Sequence, residues 1–90
     1  MQTQKLMVSG QVQGVGFRWS AAKAAQQLGI TGTVRNCRNG QVEIFATGTS
    51  HQLIDFQSQL KRGLSPWIAV QAIDATDLPL RHFDGFQIVG

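Results

Sequence analysis

In the stretch SGQVQGVGFRWS, residues 9–20, Gly10, Gly14 and Gly16 stand just ahead of an arginine, Arg18. A turn needs one or two glycines, whereas a backbone that comes close to a charged ligand needs several. The backbone N–H groups of Gln13, Gly14, Val15, Gly16, Phe17 and Arg18, unhindered near the two later glycines, can point inward and meet the positive end of a helix that starts there. Such a loop is an anion cradle. A phosphate seated in it is held by several N–H donors, and Arg18 adds a charged, bidentate pair. The plainer reading is a strand-to-helix turn with a solvated arginine, and spacing alone does not decide between the two.

Competing motifs fail on inspection. The chain has no G-x-x-x-x-G-K-[ST], and a dinucleotide G-x-G-x-x-G would need glycine where Trp19 sits. Six residues after Cys37 stands Glu43 and not an arginine, so a cysteine phosphatase cradle is absent. His51 and His82 stand alone without neighbours at metal-ligand spacing, so neither a metal nor a cofactor is expected.

The elements around the loop must bring it to something. Lys5 to Val12 alternates loosely, with Leu6, Val8 and Gly10 on one face and Met7 and Ser9 on the other, which predicts a strand. From Trp19 or Ser20 to Leu28 the spacing of Ala21, Ala24 or Ala25, and Leu28 predicts a helix that Gly29 stops. ITGTVRNCRNGQVEIFATG then predicts a hairpin turning at Arg38-Asn39-Gly40. A three-residue loop pairs Val34 with Ile44, Asn36 with Val42 and Arg35 with Glu43, apolar residues on one face and opposite charges on the other. A two-residue loop would set Val34 against Phe45 and Arg35 against Ile44, so the longer loop is expected, with Gly40 left-handed.

A second helix is predicted from Ser50 to Arg62, with Thr49 and Gln52 spaced as a capping box, Leu53, Phe56 and Leu60 on one stripe, and Gly63 as its end. After Pro66, WIAVQAIDA predicts a last major strand in which Ile68, Val70, Ala72 and Asp74 alternate with Ala69, Gln71 and Ile73. FQIVG is expected as a short edge strand. Two right-handed crossovers around a hairpin make an α+β, ferredoxin-like βαββαβ sandwich, one domain over residues 1–90, with two helices on one face of an antiparallel sheet. In that arrangement the first two strands run the same way. The loop after Val12, the start of the first helix and Asn36 at the end of the second strand then share one sheet edge.

Composition bounds what can sit there. The chain is 42% hydrophobic with net charge +3, a modest basicity that fits an anionic ligand without demanding nucleic acid. Cys37 is the only cysteine, so no internal disulfide can form, and a cytoplasmic location is expected. No signal peptide is expected in MQTQKLMVSG, and no run approaches the ~20 apolar residues of a membrane span.

Two longer stretches, GQVQGVGFR from Gly10 to Arg18 and GTVRNCRNGQVE from Gly32 to Glu43, closely resemble the two signatures of the acylphosphatases, small enzymes that hydrolyse carboxyl-phosphate mixed anhydrides. The length and order of elements fit that family from end to end. The resemblance implies hydrolysis of an acyl phosphate to carboxylate and inorganic phosphate, by a monomer that engages neither nucleic acid nor membrane. It implies that Arg18 binds the phosphate with the amides from Gln13 to Arg18, and that Asn36 positions the attacking water. An asparagine suits that task, its carbonyl accepting from water while its amide donates to a phosphate oxygen. Without the resemblance, Asn36 reads as an edge-strand asparagine near a turn. Thr33 stands where the family usually carries an aromatic, and the FQIVG tail lacks the family's common basic and aromatic residues. Neither departure touches Arg18 or Asn36.

Other residues have plainer readings. Arg35 pairs with Glu43 across the hairpin, Arg38 occupies the turn tip, and Phe17 and Trp19 anchor the loop by packing. Two other function classes suit the fold. A ferredoxin-like RNA-binding sheet needs exposed rings on its central strands, and here only Phe45 stands in NGQVEIFAT. A noncatalytic acyl-phosphate-binding module would keep the cradle without turnover.

Overall fold

The computed structural model describes residues 1–90. In chain order the elements are β1 (Gln2–Gln11), α1 (Phe17–Leu28), β2 (Thr31–Asn36), β3 (Val42–Gly48), α2 (Ser50–Lys61), β4 (Ala69–Leu78) and β5 (Phe86–Ile88). The sheet runs β4-β1-β3-β2-β5. β3 is antiparallel to both β1 and β2, and β4 is antiparallel to β1, which completes the expected four-stranded frame. β5 adds to the edge of β2 in parallel, so the sheet is mixed.

Local chemistry accounts for the elements. The β2–β3 hairpin has the longer-loop register, pairing Val34 with Ile44, Arg35 with Glu43 and Asn36 with Val42, and Gly40 is left-handed at φ 89°. Thr49 caps α2: its side chain accepts from the Gln52 N–H, and the Gln52 side chain accepts from the Thr49 N–H at 2.8 Å. The stripe of Leu53, Phe56 and Leu60 is buried against the sheet, where Leu6, Val8, Val34, Val42, Ile44 and Ala46 are also buried. α1 meets the sheet through Phe17 and a set of alanines, small enough to let helix and sheet approach closely. Phe56 meets Phe86 edge to face at 6.2 Å between ring centroids, which ties β5 to α2.

Three expectations change. β1 begins at Gln2 and not Lys5, and α1 begins at Phe17, ahead of Trp19. In β4 the alternation breaks. Ile68 is buried and Val70 half-buried as expected, but Ala72 and Asp74 are exposed while Ile73 packs against the core. The cause is a β-bulge: Ser9 pairs with Ala72 and Gly10 with Val70, so Gln71 is an extra residue and every side chain after it changes face.

The outer face of the sheet carries no helix but is not bare. Thr3 and Thr47, paired across β1 and β3, are buried and hydrogen-bonded to each other at 2.7 Å. The Arg81 N–H donates to Thr3 Oγ1 and the Thr47 hydroxyl donates to the Arg81 carbonyl, both at 2.9 Å. This closed ring of bonds pins the segment after β4 across the face. The Arg81 guanidinium then lies 5.1 Å from the Phe45 ring and 5.0 Å from the Phe83 ring.

Gly10 sits at the bulge with φ 128°, and a Cβ placed there would lie 2.2 Å from the Ala69 carbonyl oxygen. Gly10→Ala therefore forces β4 away from β1. It is expected to destabilise the fold by about 1–3 kcal/mol, seen as a lower urea midpoint at unchanged m-value.

Candidate functional site

Because β3 separates β1 and β2 and opposes both, the chain leaves β1 and finishes β2 at the same sheet edge. Gln13 fastens the two together. Its side-chain amide donates to the Cys37 carbonyl at 2.8 Å and to the Gln41 carbonyl at 2.9 Å, joining the loop to the base of the hairpin.

Between Gln13 and α1 the backbone turns through two left-handed glycines, Gly14 at φ 75° and Gly16 at φ 79°. A Cβ on either would meet no protein atom within 4 Å, so the protein's packing does not require glycine there; the backbone conformation does. Gly16 is also the N-cap of α1, and no side chain caps that helix or places an acidic group in its first turn. No loop or turn hydrogen bond is donated by the N–H of Gln13, Gly14, Val15 or Gly16. The first N–H groups of α1 have no intrahelical acceptor either, the earliest bond being Ser20 N–H to the Gly16 carbonyl at 3.1 Å. A run of undonated amides thus surrounds the positive end of a helix.

Of this run, Gly14, Gly16, Phe17 and Arg18 line a cleft of about 190 Å³ together with Val12, Trp19, Asn36 and Ile88. Arg18, in the first turn of α1, is half-buried and forms no ion pair or hydrogen bond with a protein acceptor. Asn36 faces it from the end of β2. It lies two residues beyond Val34 and so on the same, helix-covered face of the sheet. Its Oδ1 is buried and has no hydrogen-bond partner. A buried acceptor without a partner costs about 1–3 kcal/mol, and such a group asks for an explanation. A donor seated in the cleft supplies one.

The structure brings together Gly14, Gly16, Phe17, Arg18 and Asn36 of the predicted site residues. Gln13 and Val15 do not line the cleft: the first holds the hairpin, and the second packs against the core. Phe17, 1% exposed, anchors the loop as predicted. Trp19 does not. Its side chain is 62% exposed, with the Lys23 ammonium 4.9 Å from its ring, because the early start of α1 turns Trp19 out of the core. Val12, Trp19 and Ile88 line the cleft without standing among the predicted site residues, Trp19 having the reading of a packing anchor. Ile88 arrives through the parallel pairing of β5, which sets it against Val34 with the Val89 N–H donating to the Val34 carbonyl at 3.0 Å.

The neighbouring charges behave as predicted. Arg35 Nε donates to Glu43 at 2.8 Å, and this hydrogen bond, with the attraction of the carboxylate, raises the arginine above its ordinary pKa. The pair lies on the outer face, away from the cleft, with Arg35 exposed and Glu43 largely covered, and Arg38 is exposed at the turn.

Comparison with known proteins agrees with this geometry. Residues 4–88 match the family model for acylphosphatase. An acylphosphatase from Leuconostoc mesenteroides subsp. mesenteroides is 45% identical over 83 residues, covering 92% of each chain. The crystal structure of acylphosphatase from Bacillus subtilis superposes with a TM-score of 0.95 at 36% identity over the full length of both chains. An acylphosphatase from Coxiella burnetii gives 0.91 at 32% identity, over 98% of this chain and 92% of that one. With a family match over nearly all its residues and relatives of the same length, the chain belongs to the acylphosphatase family, enzymes that hydrolyse acyl phosphates.

Proposed function

We propose that the cleft between the Gly14–Gly16 loop and the end of β2 is the active site, where Arg18 and the loop amides hold the phosphoryl group and Asn36 places the attacking water. The observation that carries this reading is the buried, unpartnered Asn36 Oδ1 in the same cleft as an unpaired arginine and a run of undonated amides. An acyl phosphate is already activated. It needs stabilisation of charge on the phosphoryl oxygens and one well-placed water more than it needs a strong base.

Arg18 and the amides of Gln13 to Arg18 supply the first requirement. Charge spread over three phosphoryl oxygens meets donors that are fixed before the substrate arrives, so little reorganisation accompanies the reaction. Asn36 supplies the second, Oδ1 accepting from the water and Nδ2 donating to a phosphoryl oxygen. The water oxygen bonds to phosphorus as the phosphorus–acyl oxygen bond breaks, and the carboxylate leaves with the bonding electron pair. Arg18 and Asn36 are the polar side chains of the cleft, and neither accepts a proton near neutral pH. The water proton therefore passes to a phosphoryl oxygen, and a dianionic substrate plus water gives carboxylate and dihydrogen phosphate. Gln13 acts here through its grip on the hairpin, holding Asn36 at a fixed distance from the loop.

Turnover distinguishes this reading from a binding module that has kept the cradle. The outer sheet face argues against an RNA platform, since Arg81 already lies against the Phe45 ring. No helix is long and apolar enough to cross a membrane. A cytoplasmic monomer suits a chain with one free cysteine and a cleft built from its own residues.

Arg18 and Asn36 should fail in different ways. Arg18→Ala is expected to abolish turnover and weaken inhibition by inorganic phosphate, and Arg18→Lys should not restore either, because the planar fork is lost. Asn36→Ala should lower kcat by roughly 2 to 4 powers of ten with little change in the phosphate inhibition constant. Equal loss of phosphate binding in both variants would contradict the assigned roles. Hydrolysis of acetyl phosphate should persist in excess EDTA, since the cleft offers no carboxylate, imidazole or thiolate to a metal; activity lost on chelation and restored by a divalent ion would show otherwise. The pH profile is the remaining check. A guanidinium stays protonated and an amide does not titrate between about pH 5 and 8, while His51 and His82 are exposed and line no part of the cleft. At saturating substrate kcat should be nearly flat over that range. An acid limb that disappears in His51→Gln or His82→Gln would reveal a histidine base.

A further inference from the structure

Beside the cleft lies a larger groove of about 580 Å³ between α1 and β5, whose walls include Trp19, Ala22, Lys23, Phe86 and Ile88. Trp19 and Ile88 belong to both. We propose that this groove is the acyl subsite, and that it makes the enzyme selective for aromatic acyl phosphates over short aliphatic ones, with Trp19 as the platform for the ring. The inference rests on the cleft being the phosphoryl site.

Continuity names the occupant. A molecule whose phosphoryl group fills the cleft has its acyl group leaving past Trp19 and Ile88, and the groove begins at those two side chains. Attacking and leaving oxygens lie roughly in line on phosphorus. With the water held at Asn36, the acyl oxygen must depart on another side, and Asn36 forms no part of the groove wall. The wall has the chemistry of an aromatic acceptor. Trp19 is 62% and Ile88 44% exposed, and large apolar side chains left open beside a reaction site mark a binding surface. The polar side chains of the groove are tethered to the backbone: Gln26 donates to the Phe86 carbonyl at 3.2 Å and Gln87 to the Asp84 carbonyl at 3.4 Å. Lys23 lies with its ammonium 4.9 Å from the Trp19 ring, which restrains the indole before a substrate arrives.

An acetyl group ends at its methyl, at the edge of Trp19 where the groove begins, whereas a benzoyl ring extends into the groove and covers the indole face. Ring contacts of this kind are made equally in the ground state and the transition state, so they act on KM more than on kcat. Trp19→Ala is expected to lower the ratio of kcat/KM for benzoyl phosphate over acetyl phosphate roughly three- to tenfold, through KM. Ile88→Ser should shift the ratio the same way. Because both side chains are exposed, neither change removes a core contact.

Binding without turnover provides the second arm. Trp67 is 76% exposed and outside the groove, so Trp67→Phe leaves Trp19 as the sole tryptophan reporter. In that variant benzylphosphonate should perturb Trp19 emission and bind more tightly than methylphosphonate. A ratio unchanged in Trp19→Ala, or equal binding of the two phosphonates, overturns the acyl subsite while leaving the phosphoryl site in place. Failure of both phosphonates and of inorganic phosphate to bind overturns the phosphoryl site as well.

Discussion

The central position of β3, antiparallel to the strand on either side, is the constraint on which the site depends. It forces β1 and β2 to run the same way and to end together, although they are separated in sequence by a whole helix. The cradle comes from the end of β1 and the start of α1, and Asn36 comes from the end of β2. No local motif holds the two parts of the cleft in register. The sheet does, and Gln13 adds direct bonds from the loop to the hairpin carbonyls. Site geometry is therefore tied to the strongest part of the fold, the strand pairs whose inner faces form the core.

A second consequence follows from which groups the fold leaves unpaired. Protein interiors pair nearly all of their buried polar atoms, and this chain does so elsewhere: Thr3 and Thr47 complete a closed ring with Arg81, and Thr49 and Gln52 satisfy each other at α2. The unpaired groups gather at one place. The loop amides, the uncapped start of α1, Arg18 and Asn36 Oδ1 all meet at the cleft. Donors and an acceptor kept free of internal partners can act on a ligand without first breaking a bond, which is how preorganisation lowers a barrier.

Much of this was legible in the sequence wherever two independent local signals agreed. The hairpin register could be read because only one loop length puts Val34 opposite Ile44 and Arg35 opposite Glu43 together. The start of α2 could be read from the spacing of Thr49 and Gln52, and the parallel course of β1 and β2 from the order of elements alone. What stayed hidden depended on contacts distant in sequence. The bulge that flips β4 is made by Gly10, some sixty residues earlier, so the run IAVQAIDA shows an alternation that its partner interrupts. The exposure of Trp19 turns on a helix that starts two residues ahead of it, at Phe17, where the left-handed Gly16 sets the boundary and Phe17 takes the buried face with Ala21 and Ala25. Ile88 reached the cleft through a parallel pairing that a three-residue strand cannot announce.

The bulge at Gly10 also bears on how the molecule avoids its own kind. β4 is the long edge of the sheet, ten residues with its outer side unpaired, and such an edge is a template on which another chain can extend the sheet. The extra residue, Gln71, breaks the regular spacing of free N–H and carbonyl groups, and Asp74 and Asp77 put like charges along the exposed stretch beyond it. A second copy laid against β4 would meet an offset ladder and acidic repulsion. The opposite edge is blunted differently, since β5 has only three residues. The irregularity that hid β4's phase in the sequence thus serves as a guard against edge-to-edge aggregation.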